Sequence, residues 1–468
     1  MIDLAARRPR GIWLIPAGLV AAVLLALAVV RFGPAVLAVL GGVVALSLVY
    51  LHPELGLFAL VLSLPIEDLL PGIGPATGTR LLGMGVFGIW ALRKTLRRES
   101  WRPLFKSPLM MGALLLLGWS FASFLWAGDR TAAAQGMLTQ LQLFFLALLA
   151  IDLAVSWERS VWVVRLLVLG GLIAAGFSLE QYYVQGIRRA GDGVSGGINY
   201  TASFLVTLLP FAFYLIRART GGFWTFLGAL YVPLGVVAVT VSFSRSSYIL
   251  LVIVLVVHTW LLLRTRARRG WVFLLGGLIV AAFITAPKEA VNERVQTISP
   301  LLASWFSPTE SEAQAADARA FHWQVGFEMF KDSPVLGVGS SNFGIQFLSY
   351  QFEVPGPPDF FLNPRSAHSS YVGLLTELGP LGLGLFVFIL GAALLNLVRA
   401  RGWLRQGGAA ETRLYLVEAF FYALVFQVLY GWALNTHMNK NFWLILAMSV
   451  ALAALSRRER QALDSTQA

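Results

Sequence analysis

The stretch SSYILLVIVLVVHTWLLL, residues 246–263, is the clearest indication of the fold. Apart from His258 it contains no ionisable side chain except one tyrosine, and the basic cluster Arg264, Arg266, Arg268 and Arg269 follows it. A helix needs about 20 consecutive apolar residues to cross a bilayer. This stretch therefore predicts a membrane-spanning helix that ends at a basic loop.

Similar apolar runs recur along the chain. Mean hydropathy is +0.72 and charged residues make up 13% of the sequence, against about 25% in soluble proteins. We predict an all-α polytopic membrane protein with about 12–14 transmembrane helices. The count is a range because Pro65, Glu67 and Asp68 interrupt the run 55–70, which is the least regular of the predicted spans. The predicted spans are 12–30, 35–51, 55–70, 79–95, 108–126, 134–153, 160–179, 201–216, 223–243, 246–263, 271–286, 369–398, 414–434 and 441–456. The first is interpreted as a retained span, because it is longer than a signal-peptide core and no clear cleavage site follows it.

Basic residues predict the orientation. The net charge is +12, but most Lys and Arg lie in short loops that fix topology, so nucleic-acid binding is not expected. With fourteen spans, six basic clusters fall on one side, which the positive-inside rule makes the cytoplasm. The clusters are 7–10, 93–106, 217–219, 264–269, 399–413 and 457–460. Both termini are then predicted to be cytoplasmic.

The opposite side is predicted to carry one large loop. We divide the chain into N-terminal spans (1–286), a periplasmic loop subdomain (287–368), C-terminal spans (369–456) and a cytoplasmic tail (457–468). The loop is rich in aromatic residues, and its stretch Ala318 to Phe330 predicts an amphipathic helix with Phe321, Val325 and Phe327 near one face. Loops this long are usually functional or disordered, and the aromatic content favours function.

Composition limits the chemistry. There is no cysteine, which excludes disulfides, thiolate catalysis and cysteine-ligated metals. The five histidines, at positions 52, 258, 322, 368 and 437, show no ligand spacing. We therefore expect no metal and no cofactor.

His368 is the first candidate for a catalytic residue. It directly precedes a predicted span. Nine residues separate Ser369 from Gly379, and Gly382 follows three positions later. The positive end of a helix dipole disfavours an imidazolium, and a neutral imidazole is what a general base requires. On a continuous helix His368 and Gly379 share nearly one face, and the glycines permit close approach of a neighbouring helix. The alternative is an interfacial histidine that only bonds water or a carbonyl.

Two arginines are further candidates. Arg245 lies in a tight outer turn between two spans, where a charge is costly and arginine suits a phosphate; snorkelling to headgroups is the alternative. Arg319 lies in the long loop, where an ion pair with Asp317 is the alternative. Gly337 and Gly339 suggest either a phosphate-binding backbone or a simple turn.

These elements together resemble a known family. His368-Ser369, nine residues and Gly379-x-x-Gly382 is similar to the histidine motif of bacterial O-antigen ligases. Arg319 to Trp323, the Gly337/Gly339 turn and Ser244-Arg245-Ser246 resemble the wider O-antigen ligase and polymerase superfamily. The resemblance covers roughly residues 195–395.

The resemblance implies a membrane glycosyltransferase of the GT-C type, acting at the periplasmic face of the bacterial inner membrane without a metal. Its donor would be a glycan on undecaprenyl pyrophosphate, and its acceptor would be lipid A–core oligosaccharide or another glycan. The protein would also contact the surrounding membrane lipids. By position, Arg245 and Arg319 would bind the pyrophosphate and His368 would act on the acceptor hydroxyl. The predicted fourteen spans exceed the twelve usual for ligases, and polymerases often have more. A polymerase, a protein O-oligosaccharyltransferase and a lipid-linked sugar flippase remain as alternatives.

Overall fold

The computed structural model describes residues 35–70, 72, 77–187, 189–195, 197–219, 221–264, 276, 310–355, 364–407 and 410–467. Within these ranges the regular structure consists of α-helices and short 3-10 turns, and no strand is present. The helices are α1 (Ala35–Leu51), α2 (Pro53–Ser63), α3 (Gly78–Leu96), α4 (Pro108–Ala122), α5 (Arg130–Leu153), α6 (Trp157–Tyr183), α7 (Ile198–Ala218), α8 (Gly222–Val241), α9 (Arg245–Leu263), α10 (Glu310–Asp332), α11 (Phe343–Tyr350), α12 (Ser370–Gln406), α13 (Glu411–Tyr430) and α14 (Lys440–Gln467).

Eight helices of the described part are long and apolar enough to cross a membrane, or nine if α1 and α2 form one bent span. The eight are α4 to α9, α12 and α13, with α4 extended to Leu125 by a 3-10 turn. The prediction of an all-α, multi-pass membrane protein is confirmed. The larger count stays a prediction: spans 12–30 and 271–286 lie outside the described residues. Helices α3 and α14 occur where spans were predicted but are not among the eight.

The irregular predicted run 55–70 has a structural cause. Helices α1 and α2 are bent by 115° where His52 separates them. Pro53 begins α2, a position where a missing N–H costs nothing. After Ser63 the chain tightens into a 3-10 turn, Leu64–Leu69, with non-helical angles at Ile66.

Helix α7 forms the centre of the bundle. In the membrane-spanning segment of α7, 94% of the residues are buried. Helices α6, α8, α9 and α13 pack around it. The Tyr231 hydroxyl of α8 donates to the Leu205 carbonyl at 2.7 Å. Helix α12 packs between α4, α13 and α14 and thereby connects the outer part of the molecule to this core.

One end of the bundle collects the basic residues. Glu418, in the first half of α13, forms ion pairs with Arg217 at 3.3 Å, Arg401 at 3.0 Å and Arg405 at 3.4 Å. At the same end, Lys94 bonds Asp152 at 2.8 Å. The described members of several basic clusters therefore share one end, as the sequence predicted.

The predicted loop region contains a separate small hydrophobic core. Its members come from α10, α11, the start of α12 and the segments that follow α11 and precede α12: Phe321, Val325, Met329, Phe343, Phe347, Val354, Ala367 and Val372. The predicted helix 318–330 is present but longer, as α10. Phe327, placed by the sequence near the buried face, is 47% exposed, and Met329 is buried instead. The core extends beyond the predicted boundary at residue 368, because α12 supplies part of it.

Candidate active site

Helix α12 is broken at Gly379, the tenth of its 37 residues. Gly379 has φ +67° and ψ −172°, and Pro380 follows it. Proline has no N–H and disfavours helical angles in the preceding residue. The predicted helix up to Gly379 is present from Ser370, and the predicted span 369–398 is divided at the break. His368 lies before the N-cap Ser369 with φ +46°, outside the helix, so the prediction that it shares a helix face with Gly379 does not hold.

A turn of the loop region docks into this break. The Val338 and Gly339 amides donate to the carbonyls of Thr376 and Glu377, each at 2.9 Å. The Trp119 indole of α4 donates to the Leu378 carbonyl at 2.8 Å. Outside donors thus bind the carbonyls that lose helical partners at the break.

The motif glycines permit this docking. A Cβ at Gly379 would lie 2.1 Å from the Val335 carbonyl oxygen, and one at Gly337 would lie 2.5 Å from the backbone of Glu377. Gly379 is thus approached by a turn, not by a neighbouring helix. A Cβ at Gly382 would meet Leu378 of the same helix. Because the Gly339 amide is already bonded to a carbonyl, this turn is not a phosphate cradle.

Glu377 connects the break to α11. One of its carboxylate oxygens accepts the Ser341 amide at 2.9 Å, and the other accepts the Phe343 amide at 3.2 Å. These amides lie at the N-terminal end of α11, where a carboxylate is favoured. The whole region from Ser333 to Phe343 is therefore fixed to α12.

His368 occupies a strained position directly before α12. Its φ is +46°, in the left-handed region that non-glycine residues rarely adopt. Ser369 is the N-cap of α12 and accepts the Val372 amide at 3.4 Å. Trp323 of α10 donates to the Ala367 carbonyl at 3.0 Å. The residues on both sides of His368 are held in place, which sets the direction of its half-buried side chain.

A second imidazole lies against the first. The rings of His322 and His368 are nearly parallel, 21° apart, with centroids separated by 5.5 Å. His322 is 5% exposed, and Phe347 meets it edge-on at 5.0 Å. The buried His322 thus supports one face of the more exposed His368.

An open cavity of about 700 Å³ begins one residue from His368. Its polar lining residues include Arg365, Glu377, Asn435 and His437. Within the described residues, Asn435 Oδ1 and His437 Nδ1 have no hydrogen-bond partner. The cavity thus presents a cation, a carboxylate and two polar groups with free hydrogen-bonding capacity beside an imidazole.

The two predicted arginines have different placements. Arg245, predicted in the turn between two spans, is the first residue of α9 and is half-buried after a turn in which Phe243 has φ +56°. Helices α9 and α12 both begin beside the end of α13: Ser247 of α9 lies against Tyr430, and the Ser370 amide donates to the Gly431 carbonyl at 2.7 Å. The N-terminal ends of α9 and α12 therefore lie at the end of the bundle where α13 terminates.

Arg319 belongs to α10, one helical turn before His322. Its backbone is thus close along the helix to the stacked imidazoles, while its side chain lies outside the described part of the structure. Among described residues no cluster of three or more His, Asp or Glu side chains could hold a metal ion.

A comparison with known protein families finds a match that includes the residues of this region. Residues 230–387 match the model of a family described as O-antigen ligase. This match supports a relation of this region to the O-antigen ligase and polymerase superfamily. The matched segment contains α9, α10, the docked turn, His368 and the break in α12. No curated protein matches the chain.

Four residues of the candidate site were not singled out from the sequence: His322, Glu377, Asn435 and His437. His322 is three residues after Arg319, so the helical period gave a local signal for it. Asn435 and His437 come from the turn between α13 and α14, far along the chain from His368. Only the tertiary fold brings them to the cavity.

Proposed function

We propose that this protein is an O-antigen ligase that transfers a glycan from undecaprenyl pyrophosphate to a sugar hydroxyl of lipid A–core oligosaccharide. The reaction would occur at the periplasmic face of the inner membrane, without a metal. The observation that carries the proposal is His368: a half-buried imidazole, fixed by its neighbours, beside an open polar cavity at the end of a membrane helix. The family match over residues 230–387 supports the reaction class.

In the proposed reaction, His368 accepts the proton of the acceptor hydroxyl. The hydroxyl oxygen attacks the anomeric carbon as the bond to the pyrophosphate oxygen breaks. Undecaprenyl pyrophosphate leaves with the bonding electron pair, and one such displacement inverts the anomeric configuration. A positioned general base of this kind contributes about 10²–10⁴-fold to a rate.

Arg245 and Arg319 are proposed to bind the pyrophosphate. Negative charge on the leaving group grows as the glycosidic bond breaks, and guanidinium groups in a water-poor site stabilise it. Removing one of these contacts is expected to slow transfer about 10²–10³-fold. The position of Arg245 at the start of α9 and the position of Arg319 one helical turn before His322 support this assignment.

The test replaces His368 with asparagine as well as alanine. Asparagine tolerates left-handed backbone angles, so His368→Asn removes the imidazole with less strain than His368→Ala. Both variants are expected to insert and purify normally and to lose transfer by at least about 100-fold. Transfer is measured with purified protein in nanodiscs, given undecaprenyl-pyrophosphate-linked glycan with lipid A–core or with no second acceptor.

His52→Asn is the matched control, since His52 is exposed and contacts Glu54, which pairs with Arg159 near the basic end. It should transfer normally, whereas wild-type-like transfer by His368→Asn would refute the role of His368. A single shifted lipid A–core band supports the ligase. A ladder of repeats without lipid A–core would instead identify a polymerase, and no product would favour a protein acceptor or a flippase.

A further inference from the structure

A second cavity lies near the turn that carries His437, since Lys440, which follows that turn, is one of its lining residues. It is a groove between α2, the 3-10 turn that follows α2, α3, α5 and α14. Its apolar wall is formed by Leu60, Leu64, Gly83, Met84, Phe145, Leu146 and Leu149. It shares no lining residue with the cavity beside His368. Met84 is 49% exposed, so the groove is open toward the surroundings of the bundle.

The polar residues of the groove lie at one end. Helices α3 and α5 run in the same direction, because Trp90 and Lys94 near the end of α3 both bond Asp152 near the end of α5. On α3 the polar Thr79 and Arg80 precede Gly83 and Met84, and on α5 Gln142 precedes the apolar residues. The groove is thus polar toward the end where α3 begins and apolar along the rest.

Several polar atoms at that end lack partners. Among the described residues, Thr79 Oγ1, Arg80 Nε and Gln142 Oε1 are buried and form no hydrogen bond. Thr79 is only 1% exposed. Burying such groups without partners is costly, and three of them converging on one groove indicate that a ligand supplies the missing bonds.

The charges favour a headgroup with a single phosphate. Lys440 lines the groove and forms a close ion pair with Glu67, which also accepts the Thr77 hydroxyl at 3.0 Å. Asp68 is near enough to interact with Lys440. Two cations and two carboxylates make this end nearly neutral. That balance suits a phosphodiester better than a pyrophosphate, which carries more negative charge.

We propose that the groove binds one phospholipid of the surrounding bilayer. The phosphodiester would accept bonds from Thr79 and Arg80, and one acyl chain would lie along Leu60, Gly83 and Phe145. Because Lys440 follows the Thr436–Met438 turn directly after Asn439, the bound lipid would also stabilise the turn that positions His437.

The experiment measures phospholipid binding to the purified protein by native mass spectrometry after delipidation. The probes are phosphatidylglycerol and phosphatidylethanolamine. Thr79→Val with Arg80→Gln removes the headgroup contacts. Gly83→Leu fills the groove, and its Cβ would meet only Leu60, at 3.5 Å, which is ordinary contact. Gly85→Leu is the matched control, since a Cβ there meets nothing within 4 Å.

Wild type and Gly85→Leu are expected to bind one phospholipid equally, and the other variants to bind at least about tenfold more weakly. Unchanged binding in both Gly83→Leu and the Thr79/Arg80 variant would overturn the proposal. Preferential retention of undecaprenyl phosphate in competition would also overturn it, because the occupant would then be an isoprenoid. Size-exclusion chromatography confirms that each variant is folded, and Thr79→Val alone provides the mildest change.

Discussion

At the scale of single residues, His368 shows what the sequence can and cannot predict. Its position before a helix and its resemblance to a family motif were visible in the sequence. Its left-handed backbone and its stacking on His322 were not. The backbone angle depends on the Trp323 contact with Ala367 and on the N-cap at Ser369, and the first of these joins residues 44 positions apart.

His437 offers a prediction about pH and stability. Burial disfavours its charged form and lowers its pKa from 6.5 to about 4. Between these values the unfolded chain binds the proton and the folded protein does not, so acidification favours unfolding. We expect wild type to lose about 2 kcal/mol of stability between about pH 7 and pH 5 from this group.

The measurement is the thermal midpoint of purified protein in detergent across that pH range, for wild type and His437→Gln. The variant is expected to show a smaller loss on acidification, whatever its midpoint at neutral pH. The exposed His52 provides the control, and His52→Gln should retain the wild-type pH dependence. Identical pH profiles for wild type and His437→Gln would show that burial of His437 does not set this dependence.

At the scale of elements, α12 was predicted as one continuous span and is two segments joined at Gly379-Pro380. The dipeptide itself was a local signal for a break. The sequence did not show what fills the break, because the docked turn at 335–339 is about 40 residues away along the chain. Local apolar patterns predict where helices lie along the chain. Contacts between helices depend on pairs of residues far apart in the sequence, which local patterns do not show.

Gly379→Ala tests the importance of this break. The new methyl group would require φ +67° in a non-glycine residue and would overlap the Val335 carbonyl oxygen. The docked turn must then move, and we expect a loss of about 3 kcal/mol or more. The thermal midpoint in detergent measures it.

Gly384→Ala is the matched control for that measurement. It lies in the same helix, and a Cβ there meets nothing within 4 Å. Alanine favours helix over glycine by about 1 kcal/mol, so this variant should be as stable as wild type or more stable. If both variants behave alike, the close approach at Gly379 has no energetic importance.

At the scale of the whole molecule, the apolar runs predicted the positions of most described helices. The clustering of Arg217, Arg401 and Arg405 around Glu418 agrees with the predicted sharing of one side by the basic loops. The sequence also predicted that the basic residues lie at one end of the bundle and the candidate site at the other. Which residues of α13 and α14 reach the site could not be predicted, because that depends on how the helices are arranged in the bundle.

The orientation of the molecule in the membrane is the last prediction. We expect the basic end to face the cytoplasm and the end that carries His368 to face the periplasm.

Two exposed serines allow this orientation to be measured: Ser100 lies in the basic segment after α3, and Ser349 lies in α11 near the site. Since the chain has no cysteine, Ser100→Cys and Ser349→Cys each introduce a single thiol without background. A membrane-impermeant maleimide should label Ser349→Cys in intact cells and Ser100→Cys only after lysis. The reverse pattern would place the site in the cytoplasm and exclude a periplasmic transfer reaction.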